Sequence, residues 1–96
     1  MRSILRSYVQ EIHRYITMGI EVKTVVKNIA SNLKYLRKKH NYTQLEVSHY
    51  LEMERKGYQN LESGNVKFLR LSTIIKILNF YDITFEKLIG NDLPKS

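Results

Sequence analysis

Residues 43–64, TQLEVSHYLEMERKGYQNLESG, hold two short helical patterns separated by a tight turn. Thr43 suits an N-cap, because its hydroxyl can accept a bond from a free N–H of the first turn. Glu46, three residues on, completes a Thr-x-x-Glu capping box, and Val47 and Leu51 form the buried edge of a helix ending near Leu51. The second pattern runs from about Arg55 to Ser63, buries Tyr58 and Leu61, and closes at Gly64, a residue suited to the left-handed conformation past a helix end. It begins with the cations Arg55 and Lys56 and carries the amides Gln59 and Asn60. These four include neighbours at i+3 and i+4, so they share an exposed face opposite Tyr58 and Leu61.

Towards the N-terminus, Ile29, Leu33 and Leu36 keep a 3.6-residue period that predicts a helix from about Thr24. Lys34, Arg37, Lys38 and Lys39 crowd its far side and its end, where the helix dipole favours cations. Asn41 then breaks the period as a candidate left-handed residue. Ile20, Val22, Thr24 and Val26 also alternate like a strand, but Val22, Val25, Val26 and Ile29 fit a helical face, and the helix is preferred. Earlier still, from about Ser3 to Met18, the spacing of Leu5, Val9, Ile12 and Ile16 marks one helical stripe, widened by Ile4, Tyr8 and Tyr15 and ended by Gly19. Towards the C-terminus, Leu71, Ile74, Ile75, Leu78 and Tyr81 describe an amphipathic helix. Thr84 caps a last turn or two in which Phe85, Leu88 and Ile89 face inward before Gly90. The expectation is an all-α chain: a compact five-helix domain with an additional N-terminal helix. It divides into an extension at 1–28, a core domain at 29–90 and a tail at 91–96.

Composition limits the partners. Ninety-six residues with 16 Lys and Arg against 9 Asp and Glu give a formal charge of +7, which favours a polyanion, either nucleic acid or an acidic membrane. A membrane-surface helix at residues 1–18 is disfavoured, because Glu11 interrupts its charge and its stripe lacks Trp. No segment reads as a secretory signal or a bilayer span, and a cytoplasmic location is expected. The absence of cysteine excludes disulfide scaffolds and thiolate metal sites. His13, His40 and His49 lack metal-ligand spacing, so neither metal nor cofactor is expected. With no glycine-rich phosphate loop, nucleophile elbow or paired catalytic carboxylates, the chain offers no candidate for catalysis.

In order and spacing, Leu33-x-x-Leu36-Arg37, Thr43-Gln44, Leu61-Glu62-Ser63-Gly64 and Ile83-Thr84-Phe85-x-x-Leu88 resemble the helix-turn-helix repressors of the phage repressor and Cro type. The likeness covers about Ile29 to Ile89. It implies a repressor-like DNA-binding domain and a sequence-specific transcription regulator acting on double-stranded DNA, most simply a repressor. The helix from Arg55 would be the recognition helix, with Arg55, Lys56, Gln59 and Asn60 at base edges. Arginine can bond guanine O6 and N7 together, and Asn or Gln can do the same with adenine N6 and N7. Gln44 would hold a phosphate at a helix start, and Ser63, Asn65, Lys67 and Arg70 would line the DNA backbone. Arg37 and Glu62 are implied to form a structural ion pair.

The chain departs from the family pattern at Ser48, where a small alanine is usual, and at Glu52, where a glycine is usual. Glu54 replaces the usual Ser or Thr cap, and Gly57 weakens the recognition helix. The stripe of Leu5, Val9, Ile12 and Ile16 either packs on the core or joins a homodimer, which would set two recognition helices about 34 Å apart on a palindromic operator. The alternative is an antitoxin-type module whose extra helix masks a toxin or other regulatory protein, and which can also bind its own operator.

Overall fold

The computed structural model describes residues 9, 10, 21–91 and 93. Between residues 21 and 91 five helices follow one another: α1 Val22–Lys39, α2 Gln44–Tyr50, α3 Arg55–Glu62, α4 Leu71–Tyr81 and α5 Phe85–Ile89. No strand occurs among the described residues, so the all-helical expectation holds, and of the strand-like alternation Val22, Thr24 and Val26 lie in helix. α1 begins at Val22 and runs unbroken to Lys39, covering the helix expected from about Thr24. Val25 and Ile29 lie in the same core as Leu33 and Leu36, so one apolar face runs along the helix.

Each helix contributes a few apolar side chains to one core, joined from α2 by Val47 and the adjoining Leu51, from α3 by Tyr58 and Leu61, from α4 by Ile74, Ile77 and Tyr81, and from α5 by Leu88 and Ile89. Full burial of one such aliphatic side chain is worth about 1.5 to 3 kcal/mol. Ile77 is fully buried although the stripe expected for α4 omitted it, whereas Ile75 and Leu78 are only half-buried. α4 is apolar over most of its surface, and packing rather than periodicity selected which side faces inward.

The short α5 is tied to α1 by two amides. Asn32, fully buried, donates through Nδ2 to the carbonyls of Leu88 at 2.6 Å, Gly90 at 2.8 Å and Lys87 at 3.1 Å. Asn28 donates to Ile89 O at 3.0 Å. The last carbonyls of a helix lack intrahelical partners, and here α1 supplies them.

The connections use the left-handed region at Asn41 (φ 59°), Glu52 (φ 55°), Gly64 (φ 78°) and Asp82 (φ 50°). Asn41 and Gly64 are chemically suited to it. At Glu52 the turn keeps the shape that glycine would favour, and the exposed carboxylate meets Lys76 Nζ at 3.4 Å. Of the N-terminal stripe, Val9 is 56% exposed, while Leu5, Ile12 and Ile16 lie outside the described residues, as do Ile4, Tyr8, Tyr15 and Gly19. Among the described residues no helix is long and apolar enough to cross a membrane.

Candidate nucleic-acid interface

α2 starts on a closed capping box. Thr43 Oγ1 accepts from Glu46 N at 3.1 Å, and Glu46 Oε1 accepts from Thr43 N at 2.9 Å. This fixes where the helix begins and places Gln44 at its first position. Val47 and Ser48 face the core, and the Ser48 hydroxyl donates to Leu45 O at 2.7 Å, so a serine fits the site without leaving a buried donor unpaired. The chain then turns through Leu51 and Glu52, and Met53 N bonds back to Ser48 O at 2.8 Å.

α3 is anchored by Tyr58 and Leu61, exposed by 0% and 1%. That leaves Arg55 and Lys56 exposed on the outer side, with Gln59 and Asn60 half-buried beside them. Its N-cap, Glu54, makes no side-chain bond to the helix, so the first backbone N–H groups of α3 are not closed by a cap. Ser63 follows as the C-cap, donating to Asn60 O at 2.9 Å. Beyond it Asn65, Lys67 and Arg70 are all exposed along the segment leading to α4.

α1 and α3 are joined at a polar junction. Arg37 reaches Glu62 through two nitrogens, Nη2 to Oε1 at 2.7 Å and Nε to Oε2 at 2.9 Å, and its Nη1 donates to Tyr42 O at 3.1 Å. The Glu62 side chain is only 3% exposed. Burial alone would raise its carboxyl, but the hydrogen bonds and charge of Arg37 outweigh this and hold it below the usual carboxylate range. The same bonds push the Arg37 guanidinium up, against the opposing effect of its own burial. Burial also pushes the hydroxyls of Tyr58 and Tyr81 up, keeping both rings neutral.

The junction extends towards the outer face. Gln44 Nε2 donates to Glu62 Oε1, and Gln59 Nε2 donates to Gln44 Oε1, both at 3.4 Å. Arg37, Glu62, Gln44 and Gln59 thus form one hydrogen-bonded chain from α1 through α3 and α2 back to α3.

This chain lies along an open groove of about 770 Å³ between the C-terminal half of α1, the start of α2 and α3. Gln44, Arg55, Gln59 and Ser63 border it, together with Lys34 and Lys38. Its only carboxylate is Glu62, already committed to Arg37, so Lys34, Lys38 and Arg55 give it a net positive character. Lys56 and Asn60 stand outside the groove's lining. Lys67 borders a smaller groove of about 280 Å³ between the first turns of α1 and the segment after α3. By sequence, Lys34 and Lys38 are only cations near a helix end. Their four-residue spacing around Arg37 was the available signal, but the approach of α3 was not visible in the sequence. Among the described residues, no three His, Cys, Asp or Glu side chains come together as a metal site would require.

The helix-turn-helix family model matches residues 33–88, more than half of the chain. No curated protein and no solved structure matches it. The matched span includes the capped α2, the turn at Glu52, the whole of α3 and most of the groove between them and α1. The chain belongs to the Cro/C1-type helix-turn-helix family of DNA-binding transcription regulators.

Proposed function

We propose that this regulator recognises specific sequences of double-stranded DNA by placing α3 in the major groove. The observation that carries the reading is the outer face of α3, where Arg55 and Lys56 are exposed beside Gln59 and Asn60 while Tyr58 and Leu61 anchor the opposite side. Arginine and the two amides are the side chains able to form paired bonds to guanine and adenine edges, so Arg55, Lys56, Gln59 and Asn60 are assigned to base reading. Gln44, Ser63, Asn65, Lys67 and Arg70 are assigned to phosphates, which set register without carrying sequence information.

In this reading the protein acts as a homodimer, with the stripe of Leu5, Val9, Ile12 and Ile16 as the joining face, and represses by occluding a palindromic operator. The exposure of Val9, an apolar residue, supports a covering partner there. Selection of bound duplexes from a random pool tests the whole proposal. It should return two inverted half-sites with centres about 10 base pairs apart. A single half-site would remove the dimer from the account, and no enrichment at low ionic strength would remove sequence recognition altogether. Sedimentation of the chain with and without residues 1–19 tests the joining face independently, since an unchanged mass contradicts it.

A further inference from the structure

We infer that α1 is a third DNA-binding element, gripping the phosphates of one strand through a row of four lysines, Lys23, Lys27, Lys34 and Lys38. The inference rests on the proposed binding of duplex DNA by α3 and extends that contact to a helix outside the helix-turn-helix pair.

Spacings of four, seven and four residues bring the lysines into an arc of about 60° on the helix surface, in a row about 22 Å long. All four are exposed, and none has a carboxylate partner among the described residues. The core-facing residues of α1, Val25, Ile29, Leu33 and Leu36, lie on another side.

The row runs beside α3. Halfway along it, α1 is approached by the turn that ends α3, so closely that a Cβ placed on Gly64 would sit 3.7 Å from the Ala30 Cβ. This crossing divides the face into two grooves. Lys34 and Lys38 share the larger with Arg55 and Gln44; Lys23 and Lys27 share the smaller with Lys67. The lysine row therefore continues the surface assigned to DNA at both ends of α3.

The residue type fits a backbone contact. A lysine ammonium is a compact point charge on a flexible stem, suited to a phosphate irrespective of the base above it. Each phosphate so neutralised releases counterions and adds about 0.9 to the slope of log affinity against log salt.

The test uses the full chain with Lys23, Lys27, Lys34 and Lys38 all changed to Gln, and a parallel variant with all four changed to Arg. Affinity for a selected duplex and for a random duplex is measured between about 50 and 200 mM salt, the range in which phosphate contacts dominate the response. The Gln variant should lose about 3 to 4 units of salt slope on both duplexes while keeping the same preferred sequence, and the Arg variant should retain the slope. Two double variants, Lys23→Gln with Lys27→Gln and Lys34→Gln with Lys38→Gln, should each lose about 2 units, and thermal melting confirms that each remains folded. An unchanged slope in a folded Gln variant that still binds DNA overturns the role of α1 and leaves the α3 proposal standing. A wild-type chain that binds no duplex overturns both. Loss of binding to anionic lipid vesicles with DNA binding unaltered assigns the row to a membrane and equally overturns the inference.

Discussion

Arg37 and Glu62, 25 positions apart in the chain, meet through a two-point ion pair with a shortest distance of 2.7 Å, and this contact locks α1 to the last turn of α3. A carboxylate as covered as Glu62 is costly without its cation, whereas the guanidinium retains some access to water. The two halves of the pair therefore respond differently to removal.

Arg37→Ala should destabilise the fold by about 3 to 5 kcal/mol, because it strands a buried charge. Glu62→Gln should cost less, since a neutral amide remains opposite a partly solvated arginine. Urea denaturation of both variants checks the order. Equal losses would indicate that the Glu62 carboxylate is better solvated than its burial indicates.

The pair also predicts an acid response. The Glu62 carboxyl is held below its ordinary value in the folded state, so the unfolded chain takes up this proton first as pH falls. The stabilisation is complete above the unfolded value, about 4.3 for a glutamate, and drains away as pH falls below it towards the lower folded value. Denaturation midpoints measured from pH 6 downward should fall less steeply in Glu62→Gln than in the wild type.

At Glu52 a side chain occupies a left-handed φ of 55°. Relief of that strain favours Glu52→Gly by about 1 kcal/mol. The ion pair that is lost, Lys76 to Glu52 at 3.4 Å on an exposed surface, is worth about 0 to 1 kcal/mol. A small rise in melting temperature is expected for Glu52→Gly, with Lys76→Ala as the control that measures the pair alone. A fall larger than that control shows would mean the turn depends on the carboxylate.

Gly57 lies within α3, and a Cβ there would meet only Met53 Cε at an ordinary 3.9 Å. Gly57→Ala should raise stability by up to about 1 kcal/mol through helix propensity. Thermal melting reads this directly, and a decrease would mean that the helix needs a freedom only glycine supplies.

On DNA, Arg55→Ala should relax preference at one base pair at a cost of about 1 to 3 kcal/mol. Lys67→Ala should weaken all sequences alike and lower the salt slope by about 1. Equal losses on specific and random duplexes for Arg55→Ala would remove it from the base-reading group.

The local architecture was legible in the residues wherever its cause is local. The capping box of Thr43 and Glu46, the left-handed Asn41 and Gly64, and the inward pairs Val47 with Leu51 and Tyr58 with Leu61 depend on neighbours within about one turn of helix, so their spacing already encodes them. The choice of Ile77 over Ile75 on α4, the amide of Asn32 closing the end of α5, the link from Gln59 to Gln44 and the gathering of Lys34 and Lys38 beside Arg55 were not readable in this way. Each depends on how two helices distant in sequence cross, which is set by the combined packing of many side chains, and no spacing along one helix records that geometry.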